Sequence, residues 1–186
     1  FSGDVLLVVS PTVSVSEEYR RRLVEWVSAG GKLVVIDSPD RFGTTANSLL
    51  WPFGMALYYA TASQGDLHLE NSDWPGIAVA TACQIEGGEP FMWVGETPVA
   101  ARARYGKGTV TAIGFGSLMN NESMGTTWVA EPGPAELEIY GLLFELIESV
   151  VEDRPVRAIS VETSDDGSSA GDSDAIGTIQ SDGDSS

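Results

Sequence analysis

Two short apolar runs on either side of one helical stretch constrain the fold of this chain more than any other feature. The runs are residues 4–9 (DVLLVV) and Lys32–Ile36 (KLVVI). Neither alternates apolar with polar residues, which is typical of strands buried on both faces. Between them, Ser16 and the two glutamates after it open a helix, and Gly30 and Gly31 end it. A strand, a helix and a strand within about 35 residues predict a right-handed parallel crossover.

The middle of the chain is rich in β segments. Four of them lie at residues 57–62, 77–85, 91–94 and 99–104, with turn signals between the later ones. A further buried strand, 109–113, follows the tight turn YGKG, and residues 134–151 have the periodicity of an amphipathic helix. With the crossover at the start, these elements predict the fold class α/β: a mostly parallel, doubly wound sheet with an inserted or appended antiparallel β segment.

The composition changes near the carboxyl terminus. From Ser160 onward Ser, Asp and Gly dominate, with seven acidic residues and no basic one. Such a segment buries too little apolar surface to offset the entropy lost on folding. We therefore expect one α/β domain over residues 1–158 and a disordered acidic tail over residues 159–186.

The net charge of −17 excludes several classes of partner. A chain this acidic lacks the positive surface that nucleic acids and anionic membranes require, so we expect neither as a partner. No run of about 18 apolar residues occurs, so we expect no membrane insertion in this segment. Eight of the ten basic residues are Arg, and this acidic, Lys-poor balance is typical of proteins from salt-loving archaea. The alternative is an ordinary acidic bacterial protein. Because the chain starts at Phe1, we expect either that a segment has been removed or that the chain is part of a longer protein. A segment outside this chain, such as a signal peptide or an anchor, would make the protein extracytoplasmic or membrane-associated.

Three stretches together resemble family 4350 of the domains of unknown function. They are DVLLVVSPT, the helix ending in WVSAGGKLVVID, and RARYGKGTVTAIGFGSLMNNESM, which cover most of residues 4–125. The resemblance implies a class I glutamine-amidotransferase-like (flavodoxin-like) fold, a place in larger prokaryotic proteins that are often membrane-associated, and no established activity. One position departs from the family motif, which tends to have an acidic residue after Gly114, where this chain has Phe115.

The single cysteine and the single histidine argue against amidotransferase chemistry. That reaction needs a Cys nucleophile on a sharp strand-to-helix turn, with a His later in the chain, near a Glu, to take up its proton. The turn after the second apolar run reads DSPD, and His68 precedes Cys83, the reverse of the required order. We therefore predict that the catalytic triad is missing, that Cys83 is a small core residue and that His68 is exposed.

Two other chemistries stay open from the residues alone. Ser38 is a candidate nucleophile for a hydrolase, although Asp, Ser and Pro also form turns for conformational reasons. Asp37 and Asp40 could hold a hard cation such as Mg²⁺ or Ca²⁺, but solvated turn carboxylates are the simpler interpretation. We predict no metal and no cofactor.

Three polar loops follow strands whose carboxyl ends should meet at one edge of the sheet. Ligands of open parallel sheets bind at that edge, so we expect a small polar ligand, such as a sugar or glycan, to bind there. The alternative is structural: Ser117 or Asn121 caps a short helix or ties the loop to the backbone. Asn121 also begins an N-glycosylation acceptor triplet. The candidate ligand-binding residues are Thr12, Asp37, Ser38, Asp40, Ser117, Asn120, Asn121 and Glu122.

The residues therefore favour a non-catalytic binding or scaffolding domain of a larger prokaryotic protein. Its partner would be an unidentified protein or a polar small molecule. The alternative is a hydrolase that acts on an unknown small or glycan substrate through the cleft at the strand carboxyl ends, with Ser38, Asp37 or Glu122 as the acting group. A third hypothesis is a sugar-binding domain.

Overall fold

The computed structural model describes residues 1, 3–120, 123–125 and 131–159. The predicted acidic tail therefore lies, from Ser160 onward, outside the described residues. In chain order the elements are β1 (Val5–Val9), α1 (Glu17–Ser28), β2 (Lys32–Ile36), α2 (Asn47–Leu50), a 3-10 turn (Trp51–Phe53), β3 (Ala56–Leu69), β4 (Ser72–Glu86), β5 (Glu89–Val94), β6 (Thr97–Tyr105), β7 (Gly108–Ile113), a second 3-10 turn (Gly116–Met119) and α3 (Pro134–Val151).

The seven strands form one mixed sheet with the order β1-β2-β7-β6-β5-β3-β4. Only β1–β2 and β2–β7 are parallel, and the other four neighbouring pairs are antiparallel. The expected mostly parallel, doubly wound, flavodoxin-like fold is therefore wrong. The reason is connection length: two residues join each consecutive pair of strands from β3 to β7, and a parallel pair needs a crossover of a dozen or more.

Helices cover both faces of the parallel part of the sheet. Alternate residues of β2 point to opposite faces. Leu33 and Val35 pack with α1, while Val34 and Ile36 pack with α3. The predicted start of α1 is confirmed, because the Ser16 hydroxyl accepts a hydrogen bond from the Tyr19 N–H at 3.2 Å. The local crossover was thus predicted correctly, whereas the sheet around it was not.

The base of the β3–β4 hairpin folds over the end of β7. The Cys83 N–H donates to the Gly114 carbonyl, and the Gly114 N–H donates to the Val99 carbonyl, both at 2.8 Å. A Cβ atom at Gly114 would lie 2.4 Å from the Cys83 carbonyl oxygen, so this approach requires glycine. As a result, β3 and β4 lie beside the carboxyl end of β2.

The segment after α3 is fixed by one arginine. Arg154 forms ion pairs with Glu145, with Glu148 at 3.2 Å and with Glu152 at 2.6 Å, and the Arg157 N–H donates to the Glu145 carboxylate at 2.6 Å. These contacts hold residues 154–157 against the helix that precedes them. None of the helices in the described part of the chain has the length and apolar composition needed to span a bilayer.

Candidate functional site

The candidate site is built around Asp37, which follows β2 directly. Its backbone joins two of the predicted loops, because its N–H donates to the Ile113 carbonyl and its carbonyl accepts from the Gly116 N–H, both at 2.9 Å. Glycine is favoured there, since a Cβ atom at Gly116 would lie only 3.0 Å from the Asp37 carbonyl. The loops after β2 and β7 therefore meet, as the sequence predicted.

The Asp37 side chain is fully buried and accepts three hydrogen bonds. The donors are the Ser38 N–H at 2.9 Å, the Thr44 hydroxyl, and the Tyr59 hydroxyl at 2.8 Å. Burial raises the pKa of Tyr59, and the hydrogen bond to Asp37 raises it further. A buried carboxylate is stable only when it is paired in this way. Asp37 thus ties the loop at residues 37–46 to β3.

Ser38 and Cys83 are both poorly placed to act as nucleophiles. Ser38 is fully buried, and its hydroxyl donates to the carboxylate of Asp40. Burial raises the pKa of the Cys83 thiol to about 12, and the negative charges of Asp37 and Asp40 add to the shift. A thiol that stays protonated is a weak nucleophile. The prediction that Cys83 is a core residue is confirmed.

His68 lies near the other end of β3, where its imidazole is engaged by the backbone. Its Nδ1 is 3.1 Å from the Leu69 carbonyl oxygen and its Nε2 is 2.9 Å from that of Gly95. The ring also stacks on Trp93, with 6.2 Å between centroids. The side chain is half-buried, so the expectation of an exposed histidine is wrong. Cross-strand packing against β5 covers this position.

The remaining predicted residues are spread over the loops at the carboxyl ends of the parallel strands. Thr12 is exposed in the loop after β1. The Ser117 hydroxyl donates to the Thr81 carbonyl at 3.1 Å, and the Asn120 side chain accepts from the Ser123 N–H at 2.8 Å. Ser117 therefore makes a backbone contact of the kind that the structural alternative predicts, and Asn120 makes a similar one. Asn121 and Glu122, the first two residues of the glycosylation triplet, lie outside the described residues.

An open cleft of about 620 Å³ lies beside the Asp37 cluster, and it is lined by none of the predicted ligand-binding residues that the structure describes. We call it the loop cleft. The side chains of Phe42 and Trp51 are 96% and 64% exposed. Ring exposure depends on how the loops pack, and no local pattern signals it. The loop cleft is lined mainly by Phe42, Thr44, Thr45, Ser48, Trp51 and Tyr59.

Hydrogen bonds fix the walls of the loop cleft. The Asn47 side chain pairs with the Leu57 backbone in both directions, donating at 2.9 Å and accepting at 2.8 Å. The Thr45 hydroxyl donates to the Val13 carbonyl at 3.0 Å, and the Thr45 N–H donates to the Pro11 carbonyl at 2.7 Å. The loops after β1 and β2 and strand β3 are thus joined, which makes the loop cleft preformed.

The solved structures similar to this chain are distant in sequence. The mmIFT52 N-terminal domain is 12% identical with a TM-score of 0.55, over 77% of this chain and 76% of that one. The GH42 β-galactosidase Gan42B from G. stearothermophilus is 21% identical with a TM-score of 0.44, over 82% of this chain and 22% of its own. The β-galactosidase from Bacillus circulans sp. alkalophilus is 16% identical with a TM-score of 0.46, over 81% of this chain and 23% of its own.

This chain therefore spans about a fifth of the length of the β-galactosidases that it matches. At these identities the likeness to the mmIFT52 domain shows a shared fold and nothing about activity. The likeness to the β-galactosidases, with TM-scores of 0.44 and 0.46, is too distant to support a conclusion about this chain. The comparison with curated proteins gives no match.

Comparison with protein families gives a clear assignment. The model for the domain of unknown function DUF4350 matches residues 1–127, which is more than half of the chain. None of the comparisons links the chain to the glutamine-amidotransferase-like superfamily or to a lost triad. The resemblance to family 4350 is therefore confirmed, and the chain belongs to the DUF4350 family of domains of unknown function.

Proposed function

We propose that this domain is a non-catalytic binding module that holds a hydroxyl-rich small molecule, such as a sugar, in the loop cleft. The observation that carries the proposal is the placement of two exposed aromatic rings, Phe42 and Trp51, beside hydroxyl groups on loops that hydrogen bonds hold in place. Aromatic rings offer a large apolar face, and hydroxyl groups offer directional polar contacts. A sugar ring presents both kinds of surface to a protein.

The burial of the acidic and nucleophilic groups supports a role without catalysis. Asp37 and Ser38 are inaccessible, and both are bonded to neighbours within the protein. A general base or nucleophile must reach its substrate, directly or through one water. This burial argues against Asp37 and Ser38 as the acting groups of the hydrolase alternative, whose third candidate, Glu122, lies outside the described residues.

A glycan array followed by fluorescence titration tests the proposal. We expect at least one saccharide to bind saturably, and Trp51→Ala to weaken that binding by about tenfold because it removes a stacking surface. The matched control is Phe144→Ala, which removes an aromatic side chain that is 63% exposed on α3. If no saccharide binds, or if both variants behave alike, the proposal is wrong.

A fluorophosphonate probe separates the proposal from the hydrolase alternative. Because the Ser38 hydroxyl is buried and donates to Asp40, we expect no covalent labelling of the folded protein. Labelling at Ser38 would show that this serine is both accessible and activated, and the non-catalytic proposal would then fail.

A further inference from the structure

A second cleft, of about 730 Å³, lies between the β5–β6 surface and the segment after α3. Clefts of about 300–1,000 Å³ with a few polar groups on an apolar lining are the usual form of small-molecule sites. We call it the arginine cleft. It is lined mainly by Phe91, Trp93, Arg102, Arg104, Pro155 and Val156.

Arg102 is a half-buried cation whose hydrogen-bond partners are all neutral. Its Nε donates to the Thr111 hydroxyl at 3.2 Å, its Nη1 to the Arg154 carbonyl at 2.9 Å, and its Nη2 to the Ser149 hydroxyl at 2.9 Å. Its guanidinium carbon lies 5.7 Å from the centroid of the Phe91 ring. These contacts hold the group rigidly without neutralising its charge.

Within the described residues Arg102 has no ion-pair partner, since no carboxylate lies within 4.0 Å of it. Burial lowers its pKa, which reflects the cost of removing the charge from water. A buried charge is expensive unless it is paired. Nη2 carries two hydrogens, so one remains available for an acceptor in the cleft.

Arg104 supplies a second cation on the same face of β6, two residues further along. Its guanidinium pairs with the Asp153 carboxylate at 3.1 and 3.4 Å. Both side chains are exposed, at 71% and 39%. Exposed ion pairs contribute little, so an anionic ligand can replace Asp153 at low cost.

The rest of the lining limits the kind of anion. Phe91, Trp93 and Val156 form an apolar wall, while Glu70 and Glu89 add negative charge to the same cleft. Like charges disfavour a polyanion such as a nucleotide, whereas a single carboxylate can be held by the two arginines. An apolar body on the ligand would cover the aromatic side chains.

We infer that the arginine cleft binds a monocarboxylate with an aromatic or branched apolar body. The carboxylate lies between Arg102 and Arg104, and the body packs against Phe91 and Trp93. This site is separate from the loop cleft and does not depend on the function proposed for it.

The test is a titration of the full chain with phenylacetate, followed by NMR. We expect saturable binding that Arg104→Gln weakens by about tenfold or more, because a charge-assisted bond is lost. The matched control is Arg21→Gln, which removes an exposed arginine of α1 that lies 4.0 Å from Glu25 and should leave binding unchanged. Phenylacetamide, which has the same shape without the charge, should not bind.

Three outcomes would overturn the inference. They are the absence of saturation by phenylacetate up to roughly 10 mM, equal binding of phenylacetamide, or equal behaviour of the Arg104→Gln and Arg21→Gln proteins. Arg102→Lys gives a second check, since it keeps the charge but loses the fork of donors, and it should also weaken binding. Circular dichroism of each variant confirms that the protein is still folded.

Discussion

Asp37 connects the candidate site to the stability of the domain. It lies directly after a buried strand, and its carboxylate accepts from the chain's next residue, from a loop and from β3. Because those donors come from its own loop and from β3, Asp37 sets the position of the loop that forms one wall of the loop cleft. Its contribution to binding is therefore indirect, through the shape of the cleft.

Replacing Asp37 by asparagine should destabilise the domain. The carboxamide keeps the shape of the side chain but offers one acceptor oxygen in place of two to the three donors. We expect the free energy of unfolding in urea to fall by about 1.5–3 kcal/mol, the range for hydrogen bonds to charged groups. The control is Asp40→Asn at an exposed carboxylate, where a change within about 0.5 kcal/mol is expected. Equal losses in the two variants would contradict this role.

The Cys83 thiol should make the domain less stable in alkali. Burial raises its pKa from 9.0 to about 12, so the unfolded chain ionises first. The stability that this pKa difference between the folded and unfolded states contributes is fully present below about pH 9 and is lost as the pH rises toward about 12. We expect the free energy of unfolding of the unsubstituted protein to fall above about pH 9. We expect the free energy of unfolding of the Cys83→Ala variant to fall less steeply over the same range. Parallel pH profiles for the two proteins would contradict the assignment.

At the scale of elements, α3 and the segment after it act as one unit. Arg154 lies close to three glutamates, but only Glu145 is buried, and Glu145 also accepts the Arg157 N–H. This anchoring holds the backbone at Arg154, whose carbonyl accepts from Arg102. The floor of the arginine cleft therefore depends on an ion pair at the end of a helix.

Replacing Glu145 by glutamine should lower the melting temperature more than the same change at Glu148 or Glu152, whose side chains are 64% and 59% exposed. The hydrogen bond from Arg154 is the main cause that holds the pKa of Glu145 below its usual value. The stability that the Arg154–Glu145 pair contributes is fully present above about pH 4.5 and is lost as the pH falls through the lowered pKa of Glu145. Three equal melting temperatures would show that the buried pair is not the anchor.

At the scale of the whole molecule, the net charge of −17 sets the conditions under which the fold is stable. Repulsion between like charges opposes compaction, and salt screens it. An origin in salt-loving archaea stays a hypothesis that rests on composition alone. The net charge nevertheless leads to a prediction that does not depend on which organism the protein comes from.

The melting temperature should rise between 0.1 and 1 M NaCl, because the Debye length falls from about 10 Å to about 3 Å over that range. Differential scanning calorimetry measures the change. Potassium chloride should give the same curve if screening is the cause, since the two salts have the same ionic strength. A melting temperature that stays constant or falls with either salt would contradict the prediction.

The elements of this domain could be predicted from the sequence because their signals are local. The strands predicted at residues 4–9, 32–36 and 109–113 are present as Val5–Val9, Lys32–Ile36 and Gly108–Ile113, and Ser16 caps the helix of the crossover as expected. Turn signals at residues 87–90, 96–98 and 105–108 were also visible, and two-residue turns join the antiparallel pairs β5–β6 and β6–β7. The crossover alone favours a parallel sheet, whereas the short turns after β3 exclude parallel pairing of the strands that they join.

The sequence by itself also determined that the loops after β2 and β7 would meet, since parallel strands end at one edge. Only the tertiary structure decided that Asp37 and Ser38 would be buried there and that Phe42 and Trp51 would be exposed beside them. The physical reason is that burial depends on which distant segment covers a residue. Here it is the base of the β3–β4 hairpin, and no neighbour along the chain records that contact.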